Sequence, residues 1–176
     1  TMGTLSFHET KNISSGEGGA LLVNDTALIK LAEIIREKGT NRSLYSRGQV
    51  DKYTWLDIGS SYLPGEIIAA FLWAQLNEAQ SITTDRLQLW DTYHEAFAGL
   101  EQTGKFRRPI FLECCQHNAH MYYLIMNSLE ERTEFIKFME KQGIQCIFHY
   151  VPLHSSPAGR KYARTHGGLS VTKDVG

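Results

Sequence analysis

The chain is poor in cysteine: Cys114, Cys115 and Cys146 are the only three in 176 residues. An odd count with two adjacent residues excludes a disulfide framework and points to a reducing compartment, most simply the cytoplasm. Net charge is nearly absent, at −1. No electrostatic case exists for nucleic acid or an anionic membrane surface as a partner. No apolar run approaches the roughly 20 residues of a membrane helix. The first residues show no basic stretch followed by an apolar one, so no signal peptide is read there. Internal repeats and low-complexity segments are also missing. What remains is 42% hydrophobic and 21% charged, the composition of an ordinary globular chain of one domain or slightly more.

The first 24 residues read as short extended pieces, with Ala20–Val23 as a buried strand. Asp25 is placed to cap a helix running to about Lys38, stopped by Gly39. Leu28, Leu31, Ala32 and Ile35 give that helix one apolar stripe. Residues 40–63 are polar, aromatic and irregular, and Pro64 suits the first turn of a helix. Ile68, Phe71, Leu72, Leu76 and Ala79, then Leu89, Tyr93, Ala96, Phe97 and Leu100, keep helical spacing. One long helix is expected, broken near Gln80–Ser81 and ending at Gly104. Trp73, Trp90 and Tyr93 are expected to pack in a core or between lobes. A β-α-β unit follows, with strands over His120–Met126 and Ile144–Val151. Its helix is opened by the capping pair Ser128 and Glu131 and closed by Gly143. Residues 154–176 carry glycine and basic residues without strong periodicity.

Chemistry concentrates in Ser6-Phe7-His8-Glu9-Thr10-Lys11-Asn12, followed by Gly16-Glu17-Gly18-Gly19-Ala20. A lysine amine can condense with a carbonyl cofactor, and neighbouring hydroxyls and glycine N–H groups can hold a phosphate. Phe7, Ile13 and Leu5 can desolvate the amine, as such a lysine requires. A plain tight turn entering the strand accounts for the glycines equally well. His117 and His120 beside Cys114 and Cys115 suggest a metal site only superficially, because the spacing fits no closed zinc pattern; none is expected. Arg42, Arg47 and Lys52 form a loose basic set that could take a pyrophosphate or a carboxylate. The bland alternative for Arg47 and Lys52 is a solvated loop.

The lysine segment resembles that of the DegT/DnrJ/EryC1/StrS family of sugar aminotransferases. Four further segments agree in order along nearly all of the chain. They are Arg36-Glu37-Lys38-Gly39-Thr40-Asn41-Arg42, Gly48-Gln49-Val50-Asp51-Lys52-Tyr53-Thr54-Trp55, Ala69-Ala70 with Gln75-Leu76, and Phe148-His149-Tyr150-Val151-Pro152-Leu153-His154. The resemblance implies an α/β protein with the type I fold of pyridoxal-phosphate aminotransferases. It places residues 1–63 in the remainder of the large cofactor domain, 64–104 in a long connecting helix, and 105–176 in an incomplete small α+β domain, so that the chain is an interior piece of the enzyme.

The implied activity is transfer of an amino group from glutamate to a nucleotide-linked 4-keto-6-deoxy sugar, in a cytoplasmic homodimer. Lys11 would anchor pyridoxal 5′-phosphate and move the proton. Ser6, five residues before it, would contact the phosphate. Where the family shows Gly-x-Asn-x-Arg, this chain has Gly59-Ser60-Ser61-Tyr62-Leu63, so Ser61 would take the cross-subunit phosphate contact and Leu63 replaces the arginine. Arg42, Tyr150 and His154 would bind substrate. The family's dehydratase branch carries histidine at the lysine position, and Lys11 argues against it. A non-enzymatic alternative is that these residues alone form an inert, association-prone scaffold.

Overall fold

A computed structural model describes residues 2–176. Its contacts fall into two units, Thr1–Leu89 with Gln116–His120, and Trp90–Cys115 with Met121–Gly176. No helix among the described residues is long and apolar enough to cross a membrane.

The first unit opens on an antiparallel hairpin. Strand β1 (Met2–Ser6) pairs with β2 (Gly19–Val23), from Met2 opposite Val23 to Ser6 opposite Gly19. The expected buried strand is therefore present but not buried: Leu21 and Leu22 are 53% and 48% exposed. A two-stranded sheet has only one neighbour per strand and leaves both outer edges unpaired. Helix α1 (Thr26–Arg36) starts where expected, Asp25 Oδ1 accepting the Ala27 N–H at 3.0 Å. It unwinds through Lys38 and Gly39, both at positive φ (63° and 72°). Its buried contact is Ile34, at 8% exposure, whereas Leu31 and Ile35 of the expected stripe are 38% and 37% exposed. After the short α2 (Arg42–Ser46), the chain runs irregularly to α3 (Glu66–Asn77). Gly65 is the N-cap of α3, so Pro64 lies just outside the helix and not in its first turn.

The single long helix divides into α3, α4 (Ala79–Ala96) and α5 (Ala98–Glu101). The break falls at Glu78, two residues before the expected Gln80. Hydrogen bonding carries across it, with the Ile82 N–H donating to the Glu78 carbonyl at 2.9 Å. The boundary between the two units lies inside α4. On α3 the apolar side chains face water: Ile67 is 86% and Trp73 69% exposed.

The second unit is centred on Trp90, which is 6% exposed. His94 stacks on it with centroids 4.6 Å apart, and Phe111 and Tyr122 meet it edge-on at 5.4 and 5.3 Å. Such offset and edge contacts add to area burial. Burial raises the Tyr122 phenol above its ordinary pKa. The expected strand over His120–Met126 shrinks to β4 (Ile125–Met126), paired with β3 (Phe106–Arg107). The strand expected over Ile144–Val151 does not form, so the unit is β-α without the second β. Ile147, Tyr150 and Val151 are 70%, 71% and 67% exposed, with no strand beside them to hold a ladder. Between them α6 (Leu129–Lys141) has the expected caps. Ser128 Oγ accepts the Glu131 N–H at 3.2 Å, and Gly143 takes φ 76° beyond the end. A 3-10 turn (Leu153–Ser155), α7 (Pro157–Tyr162) and α8 (Ser170–Val175) complete the chain.

One carboxylate is tied tightly here. Glu101 accepts the Arg108 backbone N–H at 2.6 Å and its Nε–H at 2.7 Å. The backbone bond first, then the side-chain bond, lowers the Glu101 pKa below its ordinary 4.5. A depressed carboxylate stabilises the fold at pH values above 4.5 and loses that contribution as the pH falls through the lowered value. Near-UV circular dichroism should therefore show the second unit loosening below pH 4.5. Glu101→Gln should flatten that acid dependence, and an unchanged acid limb in the variant would refute the assignment.

Candidate active site

Lys11 stands on a turn whose two feet are buried and whose tip is open. Phe7 and Ser15 are 8% and 3% exposed, while Lys11 is exposed and Leu5 is 49% exposed, so the desolvation of the amine expected from Phe7, Ile13 and Leu5 is not provided by these residues. The Ser15 N–H donates to the Phe7 carbonyl at 2.8 Å, the Phe7 N–H to the Gly18 carbonyl at 2.8 Å, and the Lys11 N–H to the His8 carbonyl at 2.9 Å. Ser15 Oγ donates to the Glu17 carbonyl at 2.9 Å and would lie 2.5 Å from a Cβ at position 18. A side chain at 18 would therefore displace the Ser15 hydroxyl from its bond to Glu17, so glycine suits this turn. Ser6 ends β1 and is exposed; its Oγ accepts the His8 N–H at 3.4 Å. Ser6 and Lys11 are accordingly on one loop, with the hydroxyl of Thr10 alongside, bound to His8 Nδ1 at 3.0 Å.

Ser61 and Arg42 are brought together by Glu37. Ser61 forms an antiparallel bridge with Glu37, whose carboxylate lies 3.8 Å from Arg42 Nε and accepts the Ser43 hydroxyl at 2.6 Å. Arg42 keeps 59% of its side chain exposed. It lines an open hollow of about 760 Å³ with Tyr45, Ser46, Asp51, Lys52 and Tyr53. Arg47 is not available there. It grips Glu33 with both guanidinium nitrogens, at 2.5 and 3.2 Å, which lowers the Glu33 carboxyl and raises the Arg47 guanidinium.

The residue that sequence reasoning missed is Asn41. It is 6% exposed, accepts the Thr54 N–H at 2.7 Å and donates to the Lys52 carbonyl at 2.9 Å. It fixes the walls of the hollow; an asparagine at the head of a polar loop signals side-chain-to-backbone bonding in the sequence, but not which residues it reaches.

Tyr150 and His154 belong to the second unit. Tyr150 is 71% exposed beside His149, with ring centroids 4.5 Å apart. His154 is half-buried in the 3-10 turn, and its Nε2 is buried with no hydrogen-bond partner. A buried polar atom left unpaired costs free energy unless something else satisfies it. Among the described residues no group of three or more histidine, cysteine, aspartate or glutamate side chains could hold a metal. Cys114 and Cys115 are exposed, and His120 bonds to Asn12 at 3.1 Å.

Solved structures place the fold. DesV from S. venezuelae superposes with a TM-score of 0.81 at 26% identity over 99% of this chain and 43% of its own. The architecture is that of the type I pyridoxal-phosphate aminotransferases, mixed helix and sheet, represented here by less than half of their length. The profile of the DegT/DnrJ/EryC1/StrS aminotransferase family matches residues 1–175, and the chain belongs to that family. Among curated relatives, the uncharacterized protein MJ1066 of Methanocaldococcus jannaschii is 30% identical over 90% of this chain. GDP-perosamine synthase of Escherichia coli O157:H7 is 27% identical over 98% of it. The chain spans 42% and 43% of the lengths of these two proteins. Aminotransferases of this family depend on pyridoxal phosphate.

The donor set fits that cofactor. An exposed primary amine on a clamped turn can meet an aldehyde, and exposed hydroxyls at Ser6 and Ser61 can donate to a phosphate. The guanidinium of Arg42 supplies charge for an anionic group.

Proposed function

We propose that these residues are part of an aminotransferase that moves the amino group of glutamate to C4 of a nucleotide-linked 4-keto-6-deoxy sugar. The finer reading is conversion of dTDP-4-keto-6-deoxyglucose to dTDP-4-amino-4,6-dideoxygalactose. The enzyme would resemble the dTDP-4-amino-4,6-dideoxygalactose transaminase that serves lipopolysaccharide and enterobacterial common antigen synthesis, and would work as a cytoplasmic homodimer. Residues 1–63 would belong to the large cofactor domain, 64–104 to the connecting helical segment and 105–176 to the small domain.

The observation that carries this reading is the exposed Lys11 amine on a turn with both feet buried. Pyridoxal phosphate, when bound, supplies the electron sink for amino transfer. Lys11 would hold it covalently, and the freed amine would take a proton from one carbon and return it to another. Ser6 would donate to the phosphate from the same loop, and Ser61 would donate in the partner subunit's site. Arg42 would hold the diphosphate or the carboxylate of glutamate. Tyr150 would cover the sugar nucleotide, and His154 Nε2, which the fold leaves unpaired, would bond to it.

The test is amino transfer by the complete aminotransferase carrying this segment. With glutamate and dTDP-4-keto-6-deoxyglucose, 2-oxoglutarate and the 4-amino sugar should form in equal amounts. Release of 2-oxoglutarate with a UDP- or GDP-linked sugar alone would reject the dTDP reading. No transfer to any 4-keto sugar would reject the aminotransferase reading.

A second reading concerns the 176 residues by themselves, as an inert scaffold or association domain. It is favoured by the apolar side chains that face water: Trp55 at 72%, Ile58 at 88% and Ile67 at 86% exposure. Exposed apolar side chains bind other protein where they join into one patch.

A further inference from the structure

The residue after Lys11 makes contacts that the proposed chemistry does not use. Asn12 Nδ2 donates to the Asn118 carbonyl at 2.5 Å, and Asn12 Oδ1 lies 3.1 Å from His120 Nδ1. A carbonyl can only accept, so the first bond fixes which end of the amide faces which partner. His120 Nδ1 must then carry its proton and donate to Oδ1. The 118–120 strap is held from its other side as well. Arg86 on α4 donates Nε–H to the Ala119 carbonyl at 3.1 Å and Nη2–H to the His120 carbonyl at 2.7 Å.

Ala119 between them is 6% exposed and sits at φ 49°, with its N–H bonded to His117 Nδ1 at 3.3 Å. A left-handed conformation is strained for a residue with a Cβ. It persists only where the surroundings over-determine it. The guanidinium fork and the Asn12 amide are those surroundings. Both ends of this network, residues more than a hundred positions apart in sequence, lie within the first unit.

We propose that Asn12 is the positioning residue for Lys11. It ties the peptide on the C-terminal side of the lysine to a strap that Arg86 makes rigid, while Phe7 and Ser15 bury the feet of the turn. The Lys11 Cα is thereby fixed, and the amine has only its own side chain to move on. A nucleophile held at a fixed origin reacts faster than one on a floating loop, because less orientation is lost on the way to the adduct. This inference rests on the reading of Lys11 as the cofactor lysine.

The test uses the 176-residue chain, pyridoxal phosphate as probe, borohydride trapping and peptide mapping. Asn12→Ala should slow labelling of Lys11 about tenfold, the worth of one charge-neutral hydrogen bond with its geometry, while labelling of other lysines stays the same. His120→Leu should produce the same loss, and His120→Asn, whose amide nitrogen sits on Cγ as Nδ1 does and keeps a donor towards Asn12, should restore most of the rate. Asn12→Ala combined with His120→Leu should be no slower than either alone, because the two residues act as one unit. Nitrogen-15 shifts of the His120 ring, read without cofactor, should report the Nδ1–H tautomer and lose it in Asn12→Ala.

An unchanged Lys11 rate in Asn12→Ala overturns the positioning role. So does an Nε2–H tautomer in the unaltered chain. Absence of any Lys11-selective adduct in the unaltered chain, with the ring shifts as expected, instead defeats the reading of Lys11 on which the proposal stands.

Discussion

Lys11→Ala is expected to abolish covalent capture of pyridoxal phosphate and, in the complete enzyme, to lower turnover about a thousandfold or more. The size follows from what is removed. A covalent anchor and a positioned proton carrier disappear together, and a proton carrier alone contributes about 10²–10⁴-fold. The effect should be separable from folding. Lys11 is exposed at the tip of its turn, and surface truncations away from caps and networks stay within about 0.5 kcal/mol. The turn itself is held by main-chain bonds from Phe7, Lys11 and Ser15 that alanine leaves in place. Lys11→Arg is the companion variant. It keeps the charge and cannot condense with an aldehyde, so it should be as inactive as alanine. Lys38→Ala should retain the adduct. Visible absorbance that persists on the protein after Lys11→Ala would transfer the role to another amine.

Local signals were legible and partnered ones were not. Asp25, Ser128 and Gly143 act within a turn or two of themselves, and the structure uses each as a cap or stop. The strand over Ile144–Val151 failed for the opposite reason. Its side chains favour extended backbone, but a strand exists only beside another, and Ile147 and Tyr150 meet none here. The buried strand at Ala20–Val23 was right about extension and wrong about cover, since apolar composition states a need for burial without supplying the neighbour. Trp90 went into a core while Trp73, at 69% exposure, did not. Periodicity alone cannot separate them.

The site divides in the same way. Lys11, Ser6 and the glycines after them were visible as one short motif. Asn41 binding Lys52 and Thr54, and Asn12 binding His120, join residues whose closeness only the fold creates. Arg47 shows the converse. Its charge suggested a ligand, and its partner turned out to be Glu33, on the preceding helix.

Gly59→Ala should be among the most damaging single changes in the first unit, for a reason no side-chain contact reveals. A Cβ there would lie 2.1 Å from the Gly39 nitrogen and 2.7 Å from the Ile35 carbonyl oxygen. Gly39 is pressed from the other side, its own Cβ position 1.7 Å from the Asp57 carbonyl oxygen at φ 72°. These neighbours are backbone, so they cannot swing away as a flexible side chain would. They also carry hydrogen bonds: the Ser60 N–H to the Ile35 carbonyl at 3.0 Å, and the Leu56 N–H to the Gly39 carbonyl at 2.7 Å. Overpacking of this kind costs about 1–3 kcal/mol, and lost main-chain bonds add to it.

Two other glycines calibrate the result. Gly65 has nothing within 4 Å of a Cβ, so alanine there meets no clash and should cost only the N-cap preference for glycine over alanine, under about 1 kcal/mol. Gly48 is equally open but sits at φ 68°, so alanine should cost only the left-handed penalty of about 1 kcal/mol. Urea midpoints should therefore show a larger loss for Gly59→Ala than for either Gly65→Ala or Gly48→Ala. The crossing of residues 39 and 59 also holds Ser61 opposite Glu37, and Glu37 in turn faces Arg42. Gly59→Ala should then impair the contacts proposed for Ser61 and Arg42 together, while Lys11 on its separate turn still takes the cofactor's aldehyde. If Gly59→Ala unfolded no earlier in urea than Gly65→Ala, the close crossing would not be a feature of the folded chain.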